Sequence, residues 1–346
     1  MILSAYCSKE KWEGSVYKEA GITVMESKGS GIWGDKINEK ITFKKNLSLG
    51  VEEGQACLMF YGDLSIAIDD ELNIYILDIK NYRLLKFDKL GNFIWETGRK
   101  GQGPGEFQSP SKVAIGSFKE VCVLDNFNLI HYFNAQGRHL KTINLRGYFR
   151  DLQFLPDGRL FLNKSISRQL GIAADFYSTD GKFLEKFPDE YLYGPQLSIG
   201  GRGHLGGELR NLGSRIYMVL PDKYEIREYD LKGKLQKKIK RDIKLKPPEI
   251  KVTKSGFFIG TRNHLGPCFL YDGRILINQL VLIEGESEKD LEIQVLLDFF
   301  NEKGQFLGSY KLPELAFPLT IDSENNIYFV KEDPFPRIIR SILEIK

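Results

Sequence analysis

Two short segments contain the residue types from which a binding or catalytic centre could be built. Residues 202–206 and 262–266 both read Arg-x-His-Leu-Gly. Each histidine lies nine residues before a glycine, Gly213 in one case and Gly273 in the other. The two segments therefore occupy the same place in successive parts of the chain, and we expect them at equivalent positions in the fold.

The chemistry of these side chains leaves three interpretations open. The neutral imidazoles of His204 and His264 could share a transition metal. Arg202 and Arg262, joined by Arg150 at the corresponding place of the preceding part, could instead bind an anionic ligand through paired hydrogen bonds. Third, residues repeated in this way can simply satisfy carbonyl groups of connecting loops. The sequence has no third histidine at a matching position, which weakens the metal interpretation.

Other catalytic signatures are missing from the sequence. It contains no G-x-S-x-G, H-E-x-x-H, P-loop or EF-hand pattern. Residues 201–206 match G-x-G-x-x-G, but no strand–helix–strand pattern surrounds them, so we predict a connector. In the glycine-rich residues 101–107, Pro104 lacks an amide donor and Glu106 adds negative charge, which predicts a turn with Phe107 between two sheets. We predict no cofactor and assign no residue as a metal ligand.

The four cysteines show no metal-site spacing. Cys122 and Cys268 stand in strand-like runs, which predicts buried free thiols. Residues 1–7 resemble the end of a lipoprotein signal peptide, with Cys7 as the lipidated residue. Only six residues precede Cys7 and Tyr6 stands where a small residue is usual, so we interpret the segment as a signal remnant. We expect an extracytoplasmic protein tethered to a membrane through Cys7, or a cytoplasmic one if the segment is not a signal.

The composition argues against nucleic acid as a partner. Among 346 residues, 49 Lys and Arg are opposed by 46 Asp and Glu, for a net charge of +3. So small a net charge creates no general field that would attract a polyanion. No segment approaches the roughly 18 apolar residues of a membrane span.

A repeated pattern of strands and turns must position the candidate residues. Within residues 69–110, short strand-like runs are joined by tight turns, and Asp88-Lys-Leu-Gly91 is typical of a type I turn. Four further copies of this turn end at Gly137, Gly181, Gly233 and Gly304. A second kind of turn recurs six times, and the strands after it begin near Ile74, Val121, Leu160, Ile216, Ile275 and Ile327. The spacing of about 50 residues is in the range of propeller blades.

The numbers of the two kinds of turn predict how the ring closes. The last repeat lacks a fourth strand, and residues 40–49 form a strand that has no partner in the first repeat. We predict an all-β, six-bladed β-propeller over residues 40–346, in which residues 41–49 complete the last blade and remove two sheet edges. Residues 1–39 are predicted to be a lead that contains the signal remnant and an extended linker.

Two charged segments accompany the repeats. Residues 232–246 contain eight basic residues and one acidic residue. We interpret this segment as an outermost strand that lysines protect from further pairing, with contact to an anionic surface as the alternative. Residues 284–290 predict a protruding acidic hairpin in blade five.

The glycine-rich connection allows a family resemblance to be stated. Residues 98–110 read Gly-Arg-Lys-Gly-Gln-Gly-Pro-Gly-Glu-Phe-Gln-Ser-Pro and, with the Leu-Asp and Arg-x-x-x-Phe-Asp elements, resemble the NHL-repeat signature. The chain more closely resembles the bacterial 6-bladed β-propeller family related to NHL proteins. The later blades depart from this pattern, for example with Leu162-Asn163 in place of Leu-Asp. The resemblance implies the fold and no single activity, although related folds include a metal-dependent lyase with histidine ligands near the axis.

These observations favour a non-catalytic recognition or scaffold propeller that binds a protein, peptide or glycan on one face of the ring. The predicted ligand site at the channel mouth consists of Arg150, Arg202, His204, Arg262 and His264. The alternative is a lyase or hydrolase at the channel mouth, with His204 and His264 as the central residues and a metal as one option. We expect a monomer.

Overall fold

The computed structural model describes residues 11–116, 119–164, 170–193, 208–220, 222–245, 250–253, 256–259, 262–284 and 292–346. These residues form six four-stranded antiparallel sheets, or blades, arranged in a ring, which confirms the predicted six-bladed, all-β propeller. The inner strand of each blade contacts the inner strands of both neighbouring blades. The six inner strands therefore surround an axial channel.

In each blade the strands follow one another outward from the axis, as inner, second, third and outer strand. Blade one consists of Leu64–Ile68, Ile74–Asp78, Arg83–Phe87 and Phe93–Thr97. Blade two consists of Pro110–Ile115, Val121–Asp125, Leu129–Phe133 and His139–Asn144. Blade three consists of Phe149–Phe154, Leu160–Lys164, Ala174–Tyr177 and Phe183–Lys186.

The other three blades repeat this order. Blade four consists of Glu208–Leu212, Arg215–Val219, Glu225–Tyr229 and Leu235–Arg241. Blade five consists of Arg262–Tyr271, Ile275–Glu284, Glu292–Phe300 and Phe306–Lys311. Blade six consists of Phe317–Ile321, Asn326–Lys331, Arg337–Ile345 and Ile41–Leu49. Two small pairs of strands lie outside the blades, Leu170–Ile172 with Tyr191–Tyr193 and Ile250–Thr253 with Gly256–Ile259.

The outer turns form because one side chain binds the backbone of the same turn. In blade one, Asp88 Oδ1 accepts hydrogen bonds from the amides of Leu90 and Asn92, both at 2.8 Å. Gly91 has a φ of +88°, which a residue with a Cβ rarely adopts. The four other predicted turns of this kind also end at a glycine with positive φ, which confirms them.

A buried aspartate at the end of the second strand holds the connection that enters the blade. Asp78 accepts a hydrogen bond from the amide of Tyr61 (3.3 Å), and Asp125 accepts from the amides of Gln108 and Ser109. In blade three the equivalent residue is Asn163. Its amide nitrogen donates to Leu209 O of the next blade at 2.8 Å, so here the polar group ties two blades together.

The ring closes as predicted. Ile41–Leu49 pairs antiparallel with Arg337–Ile345, from Ile41 opposite Ile345 to Leu49 opposite Ile338. The first strand of the propeller thus becomes the outer strand of the last blade.

The prediction of an extended lead before residue 40 is wrong for residues 14–27. Gly14–Glu19 and Ile22–Ser27 form a hairpin, and Ile22–Ser27 pairs in parallel with Leu235–Arg241, the outer strand of blade four. The prediction that this basic strand is an edge guarded by lysines is therefore also wrong. Its lysines pair with an acid of the hairpin, because Lys238 and Lys240 lie 2.8 and 2.6 Å from the carboxylate of Glu19.

After the hairpin the chain continues along the outside of blade five. The amides of Ile32 and Trp33 donate to Phe306 O and Leu307 O at 3.2 and 2.7 Å. The 3₁₀ helix Gly34–Lys36 and the helical turn Ile37–Lys40 lead into the strand of blade six. We call residues 14–49 the N-terminal belt, because they cover or complete the outer strands of blades four, five and six.

The hydrophobic core lies between neighbouring blades. Phe107, at the end of the glycine-rich connection, is fully buried among residues of blades one and two such as Tyr75 and Phe133. The connection turns on itself, because Glu106 accepts hydrogen bonds from the Gly103 amide (2.8 Å) and from Arg99 Nε (2.7 Å). The prediction of a turn is confirmed. No helix within the described residues is long and apolar enough to span a bilayer.

Candidate functional site: the axial channel

Two cavities along the axial channel are lined by described residues. Inner strands begin on one face of the ring, the loop face, where the connections between blades arrive. They end on the other, the hairpin face, where short turns lead into the second strands. A cavity of about 450 Å³ opens toward the loop face and one of about 610 Å³ opens toward the hairpin face.

Irregular pairing in four inner strands shapes the loop-face cavity. The register between inner and second strand shifts at Ser111, at Arg150, at Gly266–Pro267 and at Leu319. All of these residues line the loop-face cavity. A bulge of this kind bends a strand and changes the direction of its side chains, and bulges are frequent next to binding sites.

Polar side chains link neighbouring inner strands where the two cavities meet. Lys112 Nζ of blade two lies 3.2 Å from Asp151 Oδ1 of blade three. Gln153 of blade three accepts a hydrogen bond from the Asn211 amide (2.7 Å) and donates to Leu209 O (2.9 Å), both in blade four. These contacts connect three consecutive blades at one level of the channel.

Arg210 connects blade four with blade six across the front of blade five. Its Nη1 donates to Leu319 O of blade six at 3.0 Å, and its guanidinium carbon lies 5.0 Å from the ring centre of Phe269 in blade five. Glu208 Oε1 lies 3.4 Å from Arg210 Nη2. Because Arg210, Lys112 and Asp151 line both cavities, they form the boundary between them.

The guanidinium of Arg210 remains charged in this position. Burial acts to lower its pKa, but the negative charges of Glu208 and Asp151 outweigh burial, so its pKa is raised above the ordinary value. A permanent positive charge therefore lies in the centre of the channel.

The loop face also carries exposed aromatic rings, one of them beside a basic group. Tyr61 and Tyr148, 68% and 64% exposed, precede the inner strands of blades one and three. Lys80 Nζ lies 5.8 Å from the ring centre of Tyr61. The ring centre of Tyr148 lies 6.4 Å from that of Phe127.

The structure describes three of the five predicted ligand-binding residues at least in part. Arg150 is exposed, and it is the extra residue of the blade-three bulge beside the loop-face cavity. The sequence predicted that Arg262 and His264 lie just ahead of the inner strand of blade five. That prediction is wrong, because they are the first and third residues of the strand itself. Arg202 and His204 lie outside the described residues, as does Cys7, so the proposed cluster and the lipidation site remain predictions.

The two other histidines serve the packing of blade two. His131 Nε2 lies 3.3 Å from Asp125 Oδ2, and Thr142 Oγ1 lies between His131 Nδ1 (3.0 Å) and His139 Nε2 (2.9 Å). Burial acts to raise the pKa of Asp125, but hydrogen bonds from His131 and from the amides of Gln108 and Ser109 hold it below the usual range. Among the described residues, no three His, Cys, Asp or Glu side chains converge as metal ligands would.

Sequence reasoning missed the charged residues inside the channel, namely Lys112, Asp151, Glu208 and Arg210. A signal for them exists, because they stand in short inner strands where blade one has Ser65-Ile66 and blade six has Leu319-Thr320. A charged side chain in an inner strand of a propeller faces either a neighbouring blade or the channel. In both cases its presence in the sequence marks a candidate contact between blades or a candidate channel residue.

Comparisons with known proteins agree with this fold. A protein from Bacteroides fragilis described as a "putative exported protein" is 12% identical, with a TM-score of 0.59, 93% of this chain and 99% of that chain covered. A member of the DUF4221 family from Bacteroides vulgatus is 12% identical, with a TM-score of 0.62, 89% of this chain and 99% of that chain covered. At such identity the likeness concerns the fold alone.

In sequence, no curated protein matches the chain. The profile of a family described as "DUF5128: 6-bladed beta-propeller" matches residues 64–256, which is more than half of the chain. The chain therefore belongs to this family of six-bladed β-propellers.

Proposed function

We propose that the protein is a non-catalytic recognition module that binds a protein, peptide or glycan with an acidic group on its loop face. The observation that carries this proposal is the position of Arg150. It is an exposed cation in a strand bulge at the channel mouth, two residues after the exposed Tyr148. An exposed ring and an exposed guanidinium on the same face suit a sugar or peptide that carries a carboxylate.

The charges around the cavity support the choice of Arg150. Three other cations line the loop-face cavity, and each has an acidic neighbour: Lys112 with Asp151 (3.2 Å), Lys164 with Asp175 (3.1 Å) and Arg210 with Glu208 (3.4 Å). Within the described part of the chain, no acid pairs with Arg150. In the loop-face cavity, Glu208 and Asp151 balance the charges of Arg210 and Lys112. An anionic ligand that binds from the loop face would therefore meet in Arg150 a cation without an acidic partner among the described residues.

Binding to an array of acidic and neutral glycans and peptides tests the proposal. We expect the wild type to retain ligands with a carboxylate, and Arg150→Ala to weaken their binding at least about tenfold, since charge-assisted hydrogen bonds contribute roughly 1.5–3 kcal/mol. Arg138→Ala is the matched control, because Arg138 is an exposed arginine beside a glycine turn on the hairpin face. Equal binding by wild type and Arg150→Ala, or equal losses in both variants, would contradict the proposal.

The second candidate function is a lyase or hydrolase at the channel mouth. It is favoured by the placement of Arg262 and His264 at the start of an inner strand, on the same face as Arg150. The neighbouring Leu265 and Gly266 line the loop-face cavity. Metal analysis of the purified protein separates the candidates. Stoichiometric metal that is lost in His264→Ala favours the enzyme, and metal-free protein in both cases favours recognition.

We further propose that the protein acts outside the cytoplasm as a monomer, tethered through Cys7. Support comes from the sequence around Cys7 and from the export named in the description of the Bacteroides fragilis protein that shares its fold. Incorporation of labelled palmitate by the full-length protein in a bacterial host, and its loss in Cys7→Ser, tests the tether. If the wild-type protein incorporates no label, the proposed tether through Cys7 is wrong.

A further inference from the structure

The hairpin-face cavity is bordered by one apolar side chain from each blade. In five blades this is the last residue of the inner strand, and in blade five it is the last but one. The six residues are Ile68, Ile115, Phe154, Leu212, Leu270 and Ile321, which we call the apolar collar. All six are half-buried, so each presents part of its surface to the cavity.

The inner end of the same cavity is positively charged. Lys112 and Arg210 both line it, together with Asp151, whereas Glu208 lines the loop-face cavity only. Two cations therefore meet one acid at the inner end. Arg210 has five N–H donors. One is bonded to Leu319 O and another approaches Glu208 at 3.4 Å, which leaves donors for a further acceptor.

The acids at the rim of the cavity are occupied by other groups. Asp322 accepts hydrogen bonds from the amide of Asn326 (2.9 Å) and the hydroxyl of Tyr328 (3.0 Å), and Asp272 pairs with Arg274. Their charge is thus largely satisfied. A ligand that enters from this face passes these polar residues, then meets the apolar collar, and reaches positive charge at the inner end.

We propose that the hairpin-face cavity is a second binding site, separate from the loop face, for a small amphiphilic carboxylate. The apolar body lies in the apolar collar, and the carboxylate binds Arg210 and Lys112. The volume of about 610 Å³ lies within the range of roughly 300–1,000 Å³ typical of small-molecule sites.

Calorimetric titration with sodium octanoate tests this site. We expect saturable binding of octanoate, binding at least about tenfold weaker for butyrate because its chain is shorter, and no saturable binding of octyltrimethylammonium. Failure of octanoate to bind, or equal affinity for octanoate and the cationic amphiphile, would overturn the proposal.

Variants separate the two halves of the site. Lys112→Gln and Arg210→Gln should each weaken octanoate binding about tenfold and reduce the preference for the anion. Ile115→Ser and Leu212→Ser should instead reduce the gain from a longer chain. Leu140→Ser, an exposed leucine on the outer strand of blade two, and Arg138→Gln are the matched controls and should leave binding unchanged.

Arg210 connects blade four with blade six, so Arg210→Gln could weaken octanoate binding by destabilising the fold. A second variant and a measurement of stability are therefore needed. Lys112→Gln removes a cation that forms an ion pair with Asp151 alone among the described residues, and thermal unfolding of both variants should be compared with wild type. If Lys112→Gln and Arg210→Gln both fold and bind octanoate as wild type does, the carboxylate does not lie at the inner end of the cavity and the proposal is wrong.

Discussion

The two halves of the ring treat their outer strands differently. The N-terminal belt covers or completes the outer strands of blades four to six, and half of the residues of Phe306–Lys311 in blade five are buried. In blades one to three the outer strands are mostly exposed, and no described strand from outside the blade pairs with them. Large apolar side chains such as Ile94, Leu140 and Phe183 are about half exposed there.

The difference between the two halves shows that the outer strand of a blade can be kept from pairing with other molecules in two ways. Blades four to six use additional chain, which pairs with the backbone of the outer strand or packs against its side chains. The uncovered outer strands of blades one and three are only five and four residues long, and they carry charges such as Glu96, Glu185 and Lys186. Short, charged edge strands resist pairing with other molecules without any cover.

The largest expected effect is on the free energy of unfolding, when a buried isoleucine of the N-terminal belt and an exposed isoleucine of blade one are each replaced by alanine. Ile41→Ala removes a side chain that is 2% exposed and packed in the core between blades five and six, and it should lower the free energy of unfolding by about 2–5 kcal/mol. Ile94→Ala, in the outer strand of blade one at 47% exposure, should change it by no more than about 0.5 kcal/mol. Urea unfolding measures both. Equal losses would mean that the N-terminal belt does not set the difference between the halves.

Hydrogen exchange of backbone amides should show the same contrast at a smaller scale. From Lys237 to Arg241 both edges of the outer strand of blade four are paired, so these amides should all be protected. In Phe93–Thr97 only one edge is paired, so alternate amides should exchange at least about tenfold faster. The measurement is by NMR at neutral pH. Uniform protection of both strands would show that something covers blade one in solution.

The smallest effect concerns the ion pairs of the hairpin. Hydrogen bonds from Lys238 and Lys240 lower the pKa of Glu19 from 4.5 to about 2. A carboxyl with a lowered pKa stabilises the fold above its unfolded pKa, and this contribution disappears as the pH falls from about 4.5 to about 2. Since Glu19 is about one-third exposed and solvent screens the pair, Glu19→Gln should lose no more than about 1 kcal/mol at pH 7. The difference from wild type should vanish near pH 2, and a difference that persists there would contradict the ion-pair explanation.

Most of the propeller could be predicted because its signals are local. The turn at Gly91 and the buried run Ile74–Asp78 depend on neighbouring residues, and the count of turns led to the pairing of Ile41–Leu49 with Arg337–Ile345. The hairpin before them was missed for a physical reason. Its two-residue turn is Ala20-Gly21, both with positive φ, where the common sequence is Asn-Gly. Gly14–Glu19 is largely exposed on both faces, so it lacks alternation.

The candidate site was harder to predict than the fold. Arg150 was predicted as a ligand-binding residue because it repeats the place of other arginines, but Lys112, Asp151 and Arg210 have no such repeat. Their convergence depends on bulges at Ser111 and Arg150, and a bulge changes the direction of a side chain without a clear mark in the sequence. Contacts across the channel, such as Arg210 to Leu319, join residues 109 positions apart and cannot be deduced from local patterns.

The pairing that closes the ring has a consequence for synthesis. Lys44 and Glu344, which are hydrogen-bonded across the closing strands, stand 300 residues apart. At roughly 5–20 residues per second, a ribosome needs roughly 15–60 s to make the partner of the first strand. Until then Ile41–Leu49 lacks the strand with which it pairs. A chain released early would therefore leave the ring unclosed at blade six, with a sheet edge uncovered.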